Sequence, residues 1–533
     1  MASSVHLLSR LALLILMVLT VSASALAWTD PLTPGARAGR MIYQRGAGEE
    51  MDPIEAQSQE SDVWLPATLF RCAQCHGARG EGSQEGGLRV PPLTPAVLRS
   101  SDSGPGRRRR PYTDETLLRA ITEGRDASGN RLQPAMPRYR MTTAQSTALL
   151  AYMRELGGDA DVDPGIASDS ITVGAALPRS GPLAQIGRDV SATLAGLFAS
   201  MNDRGGIYGR RVIFVTEDSQ GEPNGTVEAT RLLVERDKVF ALVGNFSPSG
   251  DERTGAFLQQ QQVPLIGPLA LSPKISDPPN PYVFYSLPGF ALQFRVLIDL
   301  LAGRASELVG SAQPRVAVIH AQASVNDETH QSALAQAARH GLTVVLNEGY
   351  PIGRLAVQPL VTQIKVQRVD AILWIGEGED LLVLARALAR ERIFPILFGA
   401  VGMVGGRVAQ LPPEFRSKVY LATGLPPPTA KDIARLAALT GQDTLASVGY
   451  ARMAQIAGVA FLEALKRAGR DLSRLALIGS LETFANQDEG AGIPLSFGPG
   501  RRLGHDRVLV LGFSDDPPMA VPYSDWTAPK SRP

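Results

Sequence analysis

Residues 70–82 read FRCAQCHGARGEG, and Cys72 and Cys75 within them are the only two cysteines in a chain of 533 residues. His76 follows the second cysteine directly. With no further cysteine the chain cannot staple its fold with disulfides, and two cysteines this close within one helical turn are badly placed to bond to each other. Something else has to use the pair, and what uses it decides how the first part of the chain folds.

Three chemistries compete for these residues. A structural zinc site needs four ligands, and this half of the chain offers only Cys72, Cys75 and His76. A thioredoxin-type redox pair needs a strand–helix setting and gains nothing from the adjacent histidine. Covalent haem attachment gives all three residues a role: two thiols for the two vinyl groups, and an imidazole placed to reach the iron. The surroundings are loop-rich, with Gly, Pro and Arg and no lysine from residue 28 to residue 156. Helical spacing of apolar residues predicts helices over 114–123 and 142–156.

On these residues the stretch from about 38 to 157 resembles a class I c-type cytochrome. The resemblance implies a small all-α domain carrying one covalent haem c, with His76 as the proximal ligand. It implies a proline after the motif whose carbonyl orients the histidine ring, for which VPPLTP offers Pro91, with Pro92 beside it. It also implies a distal methionine ahead of the last helix, and LQPAMPRYRM supplies Met136 followed by Pro137, with Met141 as the rival. Met51 and Met153 read as loop and core residues. No second histidine exists between residues 28 and 156, which excludes ligation by two histidines within this domain. An iron saturated by His and Met transfers electrons; a haem enzyme such as a peroxidase would need the methionine position open. The run Gly106 to Pro111, with four arginines, reads either as a dock for an acidic redox partner or as a solvated basic loop.

After residues 157–169, GGDADVDPGIASD, which have the composition of a linker, the pattern changes. Short apolar runs are predicted as strands over 171–177, 211–217, 240–246, 264–269, 315–321, 343–349, 371–376 and 418–424. Amphipathic helices are predicted between them over 224–236, 251–261, 328–340 and 380–391. Such alternation predicts parallel sheets covered on both faces, and this many units predicts two α/β lobes.

The motifs Ser180-Gly181-Pro182, Asn202 to Arg210 (NDRGGIYGR), Val243-Gly244 and Gly267-Pro268 occur in this order. Through them residues 170–513 resemble the extracellular solute-binding proteins of the leucine/isoleucine/valine-binding type. The resemblance implies a type I periplasmic-binding fold, two hinged lobes closing over a small-molecule ligand, and an ABC permease as a possible partner. Loops at the C-terminal ends of strands then hold the candidate ligand residues Ser180, Phe246, Ser247, Ser249, Leu269, Leu271, Phe290, Asn326 and Trp374. Pro248, Leu269 and Leu271 depart from the hydroxyl and small residues with which relatives grip an amino acid. A zwitterion buried without such partners loses several kcal/mol, so an apolar or aromatic solute is the expectation. His320, His330 and His340 read as ordinary strand and helix residues.

The first 27 residues, with Arg10, an apolar run from Leu11 to Val21 and Ala25-Leu26-Ala27, read as an export signal too short to span a bilayer. A net charge of +1 with 20% charged residues implies neither a nucleic-acid partner nor a membrane surface. The expected organisation is a signal peptide (1–27), a cytochrome c domain (28–157), a linker (158–169), a solute-binding domain (170–516) and a tail (517–533). The expected product is periplasmic, without a membrane span. Its expected roles are electron transfer with a periplasmic redox partner such as a dehydrogenase, or solute delivery and sensing.

Overall fold

The computed structural model describes residues 32–48, 52–58, 62–85, 88–101, 109–249, 252–440, 448–488, 492–513 and 520–530. The expected export signal and Met51 lie outside them. The chain forms two compact units that divide between Asp163 and Pro164.

In the first unit helix α1 (Pro34–Arg45) crosses α4 (Thr143–Met153), and between them come the single turn α2 (Cys72–His76) and α3 (Asp114–Glu123). Thr113 and Thr142 cap α3 and α4 with reciprocal side-chain bonds to the third helical residue, which fixes where both start. The crossing is close because Gly39 carries no side chain: a Cβ there would lie 1.9 Å from the Ala148 carbonyl oxygen. Tyr43 and Tyr152 pack beside it with centroids 5.6 Å apart. The helical domain expected from the sequence also contains a small antiparallel sheet, in which β1 (Glu55–Gln57) lies between β2 (Leu65–Pro66) and β5 (Arg138–Arg140). A hairpin, β3 (Ser83–Glu85) and β4 (Leu88–Val90), follows α2.

The stretch expected to be a linker is structured throughout. Arg40, buried on α1, holds Asp163 through two bonds of 2.5 and 3.2 Å and lies 3.6 Å from Asp161. Tyr152 donates to Asp161 at 2.9 Å, and Arg79 donates to the carbonyls of Gly157 and Gly158. On the other side of the division Thr172 N–H donates to Gly165, and Ile166 bridges Ile171. Two of the four acidic residues in this stretch, Asp161 and Asp163, are the counter-charges of one buried arginine, while Asp159 and Asp169 are exposed.

The second unit has two lobes. In lobe one a parallel sheet runs in the order β10 (Val283–Phe284), β9 (Leu265–Ile266), β8 (Ala241–Val243), β6 (Ser170–Leu177), β7 (Arg211–Asp218). Helices α5 (Ala184–Asp203), α6 (Pro223–Glu235) and α7 (Glu252–Gln261) connect these strands. In lobe two, β11 (Arg315–Ala321), β12 (Thr343–Tyr350), β13 (Ala371–Ile375), β14 (Ile396–Ala400) and β15 (Val419–Thr423) are parallel in the order β12-β11-β13-β14-β15. They are extended by antiparallel β16 (Leu509–Phe513) and β17 (Ala520–Pro522). Helices α8 (Phe290–Val309), α9 (Ser324–Arg339), α10 (Val357–Val366) and α11 (Gly378–Arg390) belong to this lobe, and α12 (Val448–Ala468) returns to lobe one. The residues expected as a tail are lobe-two structure where they are described: β17 pairs with β16, Thr527 pairs with Val508, and Lys530 N–H donates to the buried Asp299.

Candidate functional site

Cys72 to His76 form α2, whose one turn puts Cys72 and Cys75 on neighbouring positions of one face. His76 ends the turn with 6% of its surface exposed. Its Nδ1 lies 2.9 Å from the Pro91 carbonyl oxygen. A carbonyl only accepts, so Nδ1 carries the proton and the lone pair is left on Nε2. Burial pushes the imidazole below the ordinary histidine range, against the opposing pull of the Pro91 carbonyl, which favours the neutral ring that a metal ligand needs. Pro91, and not Pro92, is the proline that reaches the ring.

Gly82 makes this bond possible. Its φ is +78°, and a Cβ there would lie 2.7 Å from the Val90 carbonyl oxygen and 2.8 Å from the Pro92 nitrogen. The strand-like segment carrying Pro91 therefore lies directly against the loop that follows the histidine. Gly82 N–H donates to the His76 carbonyl at 2.8 Å and Ser83 Oγ to the Cys75 carbonyl at 2.8 Å. Cys72 is half-buried and Cys75 exposed, and burial raises the Cys72 thiol to about 11.

Met136 sits in the turn before β5, its N–H donating to the Gln133 carbonyl at 2.9 Å. Met136, Met141, Phe70 and Cys72 are all half-buried against the core of the first unit, and Met153 is inside that core. These residues fit a haem c: two thiols on one helical turn, a neutral imidazole with Nε2 presented, and a thioether beside the same apolar surface. Of the arginine run, residues 106–108 lie outside the described residues. Arg109 is not a free docking charge: its guanidinium donates to the carbonyls of Val97, Leu98 and Ser100 and covers the Tyr112 ring at 4.4 Å. Sequence reasoning missed Tyr43, which donates to the Gly77 carbonyl at 2.9 Å, and Tyr139, which donates to the Phe70 carbonyl at 2.6 Å.

The aromatic residues expected to line the cleft of the second unit are buried among the side chains of the lobes. Trp374 is 0% exposed, stacked on Tyr350 inside lobe two, and its Nε1 donates to the Glu377 carbonyl at 3.1 Å. Phe246 and Leu269 belong to the lobe-one core and Phe290 to the lobe-two core. Asn326 is buried, and its Nδ2 closes a turn on the Ala321 carbonyl. Strand-end residues with large apolar side chains point as readily into a lobe as into the cleft, and position in a loop does not distinguish the two. Ser180 is exposed and donates to Asp218 at 2.7 Å, while Ser247, Ser249 and Leu271 are half-buried. The Pro248 carbonyl accepts from the N–H groups of Leu271 and Ser272 at 2.9 and 3.0 Å. Two backbone donors of the lobe-one loops are thus satisfied within the protein.

Between the lobes, the crossover at 285–286 runs beside that at 502–505: Tyr285 N–H donates to Arg502, Gly504 N–H to Tyr285 and His505 N–H to Ser286. Ser272 Oγ and Lys274 Nζ, on a lobe-one loop, both lie 2.6 Å from Glu328 Oε2 on α9. Nothing in the local sequence marks this pair, because its members are 54 residues apart. The three histidines do not converge: His320 stacks on His330 at 3.8 Å, and His340 pairs with Asp299.

Fold and site together define a two-lobed solute-binding protein carrying a cytochrome c domain ahead of it. The "Periplasmic binding protein" family model matches residues 170–510 and the "Cytochrome c" model residues 67–157. The chain belongs to the periplasmic binding protein family. It is 25% identical over 227 residues to Leu/Ile/Val-binding protein homolog 7 of Brucella abortus (strain 2308), covering 42% of this chain and 56% of that protein. It is 24% identical over 264 residues to an amino acid binding protein of Pseudomonas aeruginosa, covering 48% and 68%. The chain thus spans little more than half the length of the first of these relatives. Among solved structures, a periplasmic binding protein type 1 from Bordetella pertussis Tohama I aligns with TM-score 0.54 at 21% identity, covering 66% of this chain and all of that one. A branched-chain amino acid ABC transporter protein from Thermus thermophilus with bound valine aligns with TM-score 0.54 at 15% identity, covering 68% and 97%. At these identities the structural likeness is one of fold. No helix among the described residues is long and apolar enough to cross a membrane.

Proposed function

We propose that this chain is an exported, periplasmic electron-transfer protein whose second domain binds a small molecule, and that it accepts electrons from a periplasmic dehydrogenase acting on a related solute. The observation that carries this reading is the buried His76 with Nδ1 held by the Pro91 carbonyl, directly after two thiols on one turn. In this reading Cys72 and Cys75 hold one haem c through thioether bonds, His76 Nε2 is the proximal ligand and Met136 the distal one. A bound haem c supplies one-electron redox chemistry. The protein residues orient and shield it: Pro91 fixes the imidazole tautomer, Gly82 allows Pro91 its place, and the half-buried Met136 and Phe70 exclude water.

The test is the purified exported protein. A pyridine haemochrome spectrum of c type, with an intact mass one haem above the processed polypeptide, supports the reading, and a colourless protein at the bare mass rejects it. Rapid reduction on mixing with a quinoprotein or flavoprotein dehydrogenase supports the carrier role.

A second reading is favoured by the names of the relatives: a substrate-binding or sensing protein for an ABC permease, with the haem as an accessory. Calorimetric titration with leucine, isoleucine and valine separates the two. Tight binding with slow haem reduction supports delivery, whereas no heat with fast reduction supports the carrier. Pro248 and Leu271 in the lobe-one loops, with their backbone partners already taken, argue against an α-amino acid as the solute.

A further inference from the structure

The turn that carries Met136 is tied to the segment that carries Cys72 by a connection unrelated to the ligands themselves. Three residues after Met136, Tyr139 lies on β5 with 7% of its surface exposed. Its hydroxyl donates to the Phe70 carbonyl at 2.6 Å, two residues before Cys72. Along the same strand Tyr139 pairs with Ala56 of β1, and Ala56 pairs in turn with Leu65 of β2, the strand leading into the motif. Arg140 closes the outer face, its guanidinium 3.8 Å over the Trp64 ring and 3.7 Å from Glu55. The three strands and the one hydroxyl make a strap from the methionine turn to the attachment turn.

We propose that Tyr139 is a positioning residue, acting through Phe70 and β5 to hold Met136 at the distal side of the haem. The proposal rests on the reading of Met136 as distal ligand. A thioether is a weak ligand that external bases displace, so the hold on its loop sets how readily displacement occurs. Tyr139→Phe keeps the buried ring and removes only the hydroxyl. Losing a buried hydrogen bond of ordinary strength shifts the balance between bound and displaced methionine by about tenfold.

The experiment titrates the oxidised full-length protein with imidazole, following the methionine–iron charge-transfer absorption and the Soret band. Three proteins are compared: the unaltered chain, Tyr139→Phe and Met136→Ala. The expected result is about tenfold tighter imidazole binding in Tyr139→Phe with c-type haem attachment unchanged, and no methionine band in Met136→Ala. Equal imidazole affinity in the unaltered chain and Tyr139→Phe, with the methionine band present in both, overturns the positioning role and leaves the ligand reading intact. A methionine band absent from the unaltered chain, or kept in Met136→Ala, overturns both. Should Tyr139→Phe fail to mature, Arg140→Ala loosens the same strand from its exposed face. It is then expected to tighten imidazole binding two- to threefold, and unchanged affinity there overturns the proposal.

Discussion

Substituting Gly82→Ala tests the link between backbone geometry and the iron site. The added Cβ would meet the Val90 carbonyl oxygen at 2.7 Å and the Pro92 nitrogen at 2.8 Å, both backbone atoms that cannot rotate aside. The left-handed conformation at φ +78° costs a non-glycine residue about 1–2 kcal/mol, and forcing a methyl group into a packed site costs about 1–3 kcal/mol more. Against this the bond from His76 Nδ1 to Pro91 is worth about 0.5–1.5 kcal/mol. The hydrogen bond is the weakest member of the set, so the segment carrying Pro91 moves away and the imidazole loses its orienting partner. Loss of such a partner weakens metal binding by about 10–100-fold. The assay is the ratio of Soret to protein absorbance after maturation, with the thermal unfolding midpoint of the full chain alongside. The expected outcome is a lowered ratio, a lowered midpoint and a shifted reduction potential. A variant with the unaltered chain's ratio, midpoint and potential refutes the argument that Gly82 seats Pro91.

Arg40→Ala leaves Asp161 and Asp163 buried without their counter-charge and is expected to cost about 3–5 kcal/mol in denaturant unfolding of the first unit. Trp374→Ala is expected to destabilise lobe two by about 3–5 kcal/mol in calorimetry; a variant of unaltered stability but altered solute affinity would return the residue to the cleft. Glu328→Gln removes the charge shared with Lys274 and Ser272 between the lobes. Because both ion-pair partners are about one-third exposed or more, the expected loss is only about 0.2–1 kcal/mol, with a raised radius of gyration in solution scattering as the lobes part more readily.

The parts of the molecule legible in its sequence are those written in local spacing. Helix 114–123 is found where its apolar spacing predicts it, and the strands at 171–177, 211–217 and 315–321 lie within one or two residues of their apolar runs. The Cys-x-x-Cys-His stretch is contiguous, so the cytochrome c likeness of the first unit could be read directly. What escaped reading depends on distance along the chain. The strands Val283–Phe284 and Leu65–Pro66 are two residues long and exist only through their partners. Helix α1 carries Arg40, one of its three arginines, on the buried face, so a core position reads as polar in the sequence. Trp374 and Phe246 sit at strand ends where a loop reading and a core reading give the same letters. Tyr139 and Phe70, 69 positions apart, join only when the sheet forms.

The seam between the two units is one peptide bond wide, from Asp163 to Pro164. A protease looking for slack chain within 158–169 meets residues already committed to one unit or the other. Producing either half separately therefore requires surgery at that bond: ending the first piece at residue 157 strands Arg40 without either of its carboxylates, and beginning the second at residue 170 discards the partner of Ile171.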